Sequence, residues 1–102
     1  MSEFVKAIEA SSLGPGQGTE LIVGGKAVAL FNVSATFYAI SNTCLHRGGP
    51  LGQGFLEGQN VTCPWHSWQY DVTTGENVVN PEMKVASYPV KVEDGQVLVK
   101  VE

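Results

Sequence analysis

Several residue types are scarce in this sequence of 102 residues, which has two cysteines, two histidines and, beside its lysines, a single arginine. The six basic residues are scattered and are outnumbered by ten acidic ones, so the formal net charge is −4. A chain without a basic block is not expected to bind nucleic acid or an anionic membrane. No apolar run approaches the roughly 18 residues of a membrane-spanning helix, and the N-terminus lacks the regions of a signal peptide. We therefore expect a soluble cytoplasmic protein.

Helical periodicity, repeats and linkers are also missing, whereas strand-like segments separated by turns are frequent. Gly24-Gly25 and Asp94-Gly95 each separate two apolar segments, which is a strong signal for a β-hairpin. The pattern predicts one all-β domain over residues 1–102, a small antiparallel sandwich or barrel of roughly eight to ten strands. The predicted strands include residues 4–10, 20–23, 26–33, 36–40, 85–93 and 96–101.

The chemically special residues are concentrated in residues 42–71, which hold both cysteines, both histidines, both tryptophans and the arginine. Cys44 and His46 form one close pair, and Cys63 and His66 form a second pair after sixteen intervening residues. Functional residues are commonly carried on loops of a rigid scaffold. We therefore expect this stretch to form a site-bearing lobe inserted in a β base domain.

Two thiolates and two imidazoles are a candidate metal-ligand set. In a reducing cytosol, metal binding is a better expectation for the two cysteines than a disulfide. Zinc accepts two cysteines and two histidines, but zinc knuckles usually pair cysteine with cysteine and histidine with histidine. Here each pair is mixed, which suits a dinuclear iron–sulfur cluster with two cysteines on one iron and two histidines on the other. Ligand types alone leave both zinc and iron–sulfur open.

The residues that flank the two pairs resemble the Rieske [2Fe–2S] signature. The first pair is followed by Arg47-Gly48-Gly49-Pro50-Leu51, and the second lies in the stretch CPWHSWQYD, residues 63–71. The resemblance extends from Phe4 to Val101 and implies the all-β Rieske fold, with residues 42–71 as its cluster-binding lobe. It also implies one Rieske-type [2Fe–2S] cluster. Cys44 and Cys63 would bind the inner iron, and His46 and His66 the outer, more exposed iron.

The same resemblance gives roles to the residues around the cluster. Glycines let the loop backbone approach the sulfides and direct its N–H groups at them, and prolines stiffen the loops. Large apolar side chains shield the site from water, although core packing is an equally simple role for Trp68 and Tyr70. The predicted surroundings are Leu45, Arg47, Gly48, Gly49, Pro50, Pro64, Trp65, Ser67, Trp68 and Tyr70, with Ser67 standing where the family usually has glycine.

Four positions indicate which kind of Rieske protein the chain resembles. High-potential members carry two further cysteines in a disulfide, and Gly49 and Trp65 occupy those places here. Trp68 replaces a serine that donates a hydrogen bond to a sulfide in that class. Losing such a donor lowers the reduction potential. Tyr70 favours a higher reduction potential. Low-potential members often have phenylalanine at this position, whereas the tyrosine hydroxyl can donate a hydrogen bond to a ligand sulfur.

The function implied by this resemblance is that of a Rieske-type ferredoxin. Such a protein carries single electrons from a flavin-dependent NAD(P)H reductase to a terminal oxygenase, and its free form is expected to be a monomer. The chain is not expected to be an enzyme, since both of its histidines are used as cluster ligands and no nicotinamide or flavin fingerprint is present. Two alternatives remain: a small Rieske-like subunit of an assimilatory nitrite reductase, and a zinc-binding structural module.

Overall fold

The computed structural model describes residues 4–43, 50–64 and 68–100. These residues form ten strands and two short 3₁₀ turns, Ala10–Ser12 and Leu51–Gln53. The strands are β1 (Val5–Glu9), β2 (Gly18–Val23), β3 (Lys26–Val33), β4 (Thr36–Ser41), β5 (Phe55–Glu57), β6 (Asn60–Thr62), β7 (Gln69–Asp71), β8 (Ser87–Tyr88), β9 (Val90–Glu93) and β10 (Gln96–Val99).

The strands form three sheets, in which all the pairings are antiparallel. The outer sheet has the order β1-β10-β9, the central sheet β2-β3-β4-β8 and the lobe sheet β5-β6-β7. None of these three sheets closes on itself, so within the described ranges the predicted sandwich is confirmed and the barrel alternative is not. No helix in the same ranges has the length and apolar character needed to cross a membrane.

Both hairpins predicted from glycine-containing turns are confirmed. Gly24 and Gly25 connect β2 to β3 with φ values of 56° and 83°. Asp94 and Gly95 connect β9 to β10 with φ values of 52° and 76°. Two successive positive φ values match the right-handed twist of the flanking strands, which is why glycine and aspartate are favoured there.

The prediction of one strand over residues 85–93 is wrong, because this stretch contributes to two different sheets. Ser87–Tyr88 pairs with β4, whereas Val90–Glu93 pairs with β10. Pro89 separates the two strands and has no N–H group to continue a ladder, and its carbonyl instead accepts from Lys100 N–H at 3.0 Å. Val85 lies outside both strands, and its N–H donates to the carbonyl of Gly75.

A turn without glycine connects β3 to β4. Ser34 and Ala35 have φ values of 51° and 76°, a backbone conformation that residues other than glycine rarely adopt. The buried side chain of Asn32 holds this turn, since its Oδ1 accepts from Ala35 N–H at 2.8 Å and its Nδ2 donates to Leu13 O at 2.8 Å. One hydrogen bond of this buried side chain thus supports the turn, and the other fixes the side chain itself to Leu13.

The strand β3 is buried on both faces and separates two apolar cores. Val28 and Leu30 pack in one core with Val97 and Val99 of the outer sheet. Ala29 and Phe31 belong to the second core, which we call the lobe core and which also contains Ile40, Leu51, Val61, Cys63, Tyr70, Val72 and Val85. The central sheet is therefore covered on one side by the outer sheet and on the other by the lobe that carries the predicted site.

Candidate metal centre

Cys63, one of the four predicted ligands, lies directly after β6 with 1% of its surface exposed. Side chains alternate along a strand, so Val61 and Cys63 both point into the lobe core whereas Thr62 does not. Tyr70, on the paired strand β7, packs in the same core. The thiol group is thus held in apolar surroundings that exclude water.

A backbone hydrogen bond closes the base of the segment that follows Cys63. The N–H of Cys63 donates to the carbonyl of Trp68 at 2.6 Å. One step further along the hairpin, Thr62 is paired with Gln69, and the Gln69 amide donates to Thr62 Oγ1 at 3.0 Å. The segment between Cys63 and Trp68 therefore begins and ends at neighbouring positions at the end of the β6–β7 hairpin.

The segment that carries the other cysteine is closed at its base in a similar way. Thr43 and Pro50 form an antiparallel bridge, and Leu51 N–H donates to Asn42 O at 2.8 Å. The side chain of Leu51 is fully buried in the lobe core, together with Cys63. Both predicted ligand segments thus leave the scaffold next to the same core.

The predicted site residues divide between the described and the remaining parts of the chain. The predicted ligands Cys44, His46 and His66 lie outside the described residues, as do Leu45, Arg47, Gly48, Gly49, Trp65 and Ser67. No three histidine, cysteine or acidic side chains within the described residues are placed to hold a metal ion.

Four of the residues predicted to surround the cluster lie in the described ranges, and they differ in burial. Tyr70 is completely buried, and no buried side-chain nitrogen or oxygen atom of the described residues lacks a hydrogen-bond partner. Trp68 is half-buried and packs against the lobe core, as the packing interpretation predicts. Pro50 is half-buried and Pro64 is exposed. A hydrogen bond from Tyr70 to a ligand sulfur remains a prediction.

An apolar cleft of about 300 Å³ opens beside Trp68. Its wall includes Met83 and Val79, and the Val79 side chain is 89% exposed. The other lining residues that the structure describes are Gln69, Asn77 and Asn80, and none of the described lining residues carries a charge. The cleft lies next to the second ligand segment.

The turn after β7 is stabilised by the carboxylate of Asp71. Its Oδ1 accepts from the N–H and the hydroxyl of Thr73 at 2.8 and 2.6 Å, and its Oδ2 accepts from the Gln59 amide at 2.7 Å. Burial alone raises the pKa of Asp71, but these hydrogen bonds outweigh it and the pKa lies below its usual value. The carboxylate form therefore stabilises the turn.

Asn42 was not predicted as a residue of the site, although both its main chain and its side chain contact the 3₁₀ turn Leu51–Gln53. Asparagine favours turns and strand ends because its short amide bonds nearby backbone groups. Asn42 follows the end of β4 by one residue and precedes Cys44 by two, so this preference is a usable signal.

Cys63, the one predicted ligand within the described residues, fits an iron–sulfur centre. Thiolates are the protein ligands of such clusters, and their potentials depend on solvent exposure and on hydrogen bonds to sulfur. Cys63 offers a thiol that is shielded by apolar side chains, next to backbone that turns sharply. A buried cysteine alone also suits zinc, and the similarity of the whole chain to known proteins distinguishes the two metals.

Comparison with known proteins shows similarity along most of the chain. Residues 3–89 match the family described as Rieske [2Fe–2S] domain. The ferredoxin component of naphthalene 1,2-dioxygenase/salicylate 5-hydroxylase systems from Ralstonia sp. is 41% identical over 81 residues, which cover 78% of each chain.

Solved structures give the same result for the fold. The ferredoxin of carbazole 1,9a-dioxygenase from Nocardioides aromaticivorans IC177 superposes with a TM-score of 0.91 at 29% identity, covering 97% of this chain and 98% of that one. A chain of the complex of reduced oxygenase and oxidized ferredoxin in carbazole 1,9a-dioxygenase has a TM-score of 0.85 at 32% identity, with 93% and 99% covered. A protein from Mycobacterium tuberculosis whose structure is titled "putative NADH-dependent nitrite reductase small subunit" shares the fold, at 23% identity and a TM-score of 0.91.

Proposed function

The chain belongs to the Rieske [2Fe–2S] domain family, and from this premise we propose that it is a one-electron carrier which delivers electrons to a terminal oxygenase. The observation that carries this proposal is the similarity to ferredoxin components of dioxygenase systems over most of both chains. The donor in this proposal is a flavin-dependent NAD(P)H reductase. This reductase needs access to NAD(P)H and the carrier must reach the reductase, so we also propose a cytoplasmic location.

When bound, the cluster supplies a centre that accepts and releases one electron. We propose that Cys44 and Cys63 hold one iron and that His46 and His66 hold the other, within a lobe formed by residues 42–71 of a single domain. The buried position of Cys63 and the closed bases of both segments support this assignment. The bases of both ligand segments adjoin the buried lobe core.

The described residues around Cys63 keep water from this side of the site. Leu51, Val61 and Tyr70 are completely buried, and Trp68 covers part of the same core. Low solvent exposure and apolar surroundings influence the potential of an iron–sulfur centre. We propose that backbone N–H groups of Gly48 and Gly49 supply the hydrogen bonds to sulfur in this otherwise apolar environment.

The proposed contact surface for redox partners lies around the two ligand segments. The rim in this proposal is formed by Leu45, Arg47, Pro50 and Trp65. The cleft beside Trp68 and Met83, whose described lining residues carry no charge, extends this surface. Transient redox complexes usually bury less than about 1,200 Å², so we expect weak binding and rapid dissociation. The free carrier is proposed to be a monomer, and substrate chemistry takes place on the oxygenase.

Metal analysis is the first test of this function. The protein purified in air should be red-brown and contain two iron atoms and two acid-labile sulfides per chain, because a Rieske cluster needs both. Cys63→Ser should abolish the visible absorption, since thiolate ligands hold the cluster. A colourless protein with stoichiometric zinc, or an unchanged spectrum in Cys63→Ser, would contradict the assignment.

The redox partners require a separate measurement. Rapid-mixing experiments should show reduction of the chain by a flavoprotein reductase with NAD(P)H, followed by reoxidation on mixing with the oxygenase of the same system. The nitrite reductase alternative predicts instead a stable complex with a large reductase subunit during purification. Co-purification of that subunit, together with no electron transfer to any oxygenase, would favour the alternative.

A further inference from the structure

Asn42 connects three separate elements at the entrance of the segment that carries Cys44 and His46. Its N–H donates to Ala27 O on β3 at 3.1 Å, and its carbonyl accepts from Leu51 N–H at 2.8 Å. Thr43 and Pro50 pair immediately beyond this point. The main chain of Asn42 thus fixes the end of β4 to the start of the 3₁₀ turn Leu51–Gln53.

The side chain of Asn42 adds two further hydrogen bonds. Its Oδ1 accepts from Gly52 N–H at 2.7 Å, and its Nδ2 donates to Glu20 Oε1 at 3.1 Å. A backbone N–H only donates and a carboxylate only accepts, so one orientation of the amide satisfies both partners. The side chain therefore connects the 3₁₀ turn to the strand β2.

Close packing holds Glu20 against the same turn. A Cβ atom on Gly52 would lie 2.6 Å from Glu20 Cγ and 2.8 Å from Thr19 O, so only glycine permits this approach. The stem of Glu20 thus packs against Gly52 while its carboxylate binds Asn42. We call the set Asn42, Glu20, Leu51 and Gly52 the Asn42 clamp.

We propose that Asn42 is a positioning residue for the cluster, acting through the Asn42 clamp to fix both ends of segment 44–49. This inference rests on the proposed function, since it takes that segment to supply Cys44 and His46 as ligands. Each ligand must be held close to its productive geometry by surrounding hydrogen bonds. The side-chain bonds of Asn42 connect the two ends of this segment to each other, through Gly52, and to β2, through Glu20.

The decisive variants exchange the donor and the acceptor between Asn42 and Glu20. Asn42→Asp retains an acceptor for Gly52 N–H but directs a second carboxylate at Glu20. The double variant Asn42→Asp/Glu20→Gln restores a donor–acceptor pair and leaves the net charge of the protein unchanged. Glu20→Gln alone also keeps an acceptor for the Asn42 amide. The Asn42 clamp therefore predicts faster cluster loss in Asn42→Asp and a return to the wild-type rate in the double variant.

The rate of cluster loss to an iron chelator, followed by visible absorbance, measures this effect in the loaded protein. We expect about a tenfold faster loss in Asn42→Asp, equivalent to about 1.4 kcal/mol, and the wild-type rate in the double variant. Gln17→Glu is a matched control. It adds the same charge elsewhere and keeps an oxygen to accept from Gly14 N–H, a contact of 2.7 Å in the wild type.

A second readout separates positioning from general stability. The EPR g-values of the reduced protein report cluster geometry, and they should shift in Asn42→Asp and return in the double variant. Equal loss rates and g-values in wild type and Asn42→Asp, or no recovery in the double variant, would overturn the proposal. If Asn42→Asp does not accumulate, Glu20→Ala with Glu20→Gln as its control applies the same test, because only the alanine removes the acceptor.

A further measurement does not depend on which metal is bound. Hydrogen exchange at Gly52 N–H should be faster in Asn42→Ala than in wild type, because the acceptor of that N–H is removed. Unchanged exchange would refute the Asn42 clamp. Zinc in place of iron and sulfide in the wild type would instead refute the proposed function, so the two failures are distinguishable.

Discussion

Replacing Gly54 with alanine is expected to destabilise the fold, although its backbone would accept alanine. Gly54 has φ −77° and ψ 178°, which is ordinary extended backbone. At such a position alanine restricts the unfolded chain and would by itself stabilise the protein by roughly 0.4–1 kcal/mol. The result is decided by the space around the missing side chain.

That space is occupied by backbone that cannot easily move. A Cβ atom on Gly54 would overlap the carbonyl oxygen of Thr62, and it would lie 3.0 Å from both the Thr62 carbonyl carbon and Val61 Cγ2. Relieving the overlap requires β5 to move away from β6 by roughly 1 Å, since carbon contacts are most favourable near 3.5–4.0 Å. Overpacking of this kind costs about 1–3 kcal/mol, so the net loss should be about 1–2 kcal/mol.

Thermal unfolding followed by far-UV circular dichroism measures this loss. For a domain of this size, 1 kcal/mol shifts Tm by roughly 4–8 °C, so Gly54→Ala should melt about 5–15 °C lower than wild type. Gly14→Ala is the control, because a Cβ atom there meets only the flexible Gln17 side chain, at 3.2 Å. A Gly54→Ala variant that melts with the wild type, or no lower than Gly14→Ala, would refute the steric argument.

Three further predictions concern the core, the turn after β7 and the potential. Leu51→Ala should cost about 3 kcal/mol in denaturant unfolding, because the side chain is completely buried, and an unchanged midpoint would contradict its place in the lobe core. Asp71→Asn should cost about 1 kcal/mol at pH 7. The lowered pKa of Asp71 means that its stabilisation is present above the unfolded-state pKa and is lost as pH falls through the folded-state pKa. The cost should therefore shrink in urea titrations near pH 3, and a cost that grows on acidification would refute this sign. The midpoint potential should lie near the lower end of the Rieske range, about −150 mV, and protein-film voltammetry above about +100 mV would contradict the low-potential assignment.

The fold was predictable wherever local chemistry decides it. Gly24-Gly25 and Asp94-Gly95 determine their hairpins through backbone conformations that few residues adopt. The predicted strands 26–33 and 36–40 correctly leave Ser34 and Ala35 between them. The positive φ values of this turn were not predicted, because the Asn32 side chain rather than a glycine supports them. The strand break at Pro89 carried a signal in the proline itself, which the apolar pattern around it obscured.

Residue types and spacing predict a metal site, whereas the contacts that support its ligand segments could not be predicted. Cys63 is a predicted ligand from the paired motif, and the structure places it at the end of a strand with its side chain in the lobe core. The contacts of Asn42 lie 10 residues away at Gly52 and 22 residues away at Glu20. No local sequence pattern predicts contacts between residues so far apart in the chain, because these contacts depend on how β2 and the 3₁₀ turn meet in the folded protein.

The backbone closure of the two ligand segments has a consequence for evolution. The bonds from Leu51 N–H to Asn42 O and from Cys63 N–H to Trp68 O use main-chain atoms, which every amino acid except proline supplies on both sides. Substitutions inside segments 44–49 and 64–67 leave these main-chain anchors in place. Selection can therefore change the side chains of these two segments without removing their anchors. A ferredoxin that is 29% identical to this chain superposes with a TM-score of 0.91, so most side chains can differ while the course of the backbone is kept.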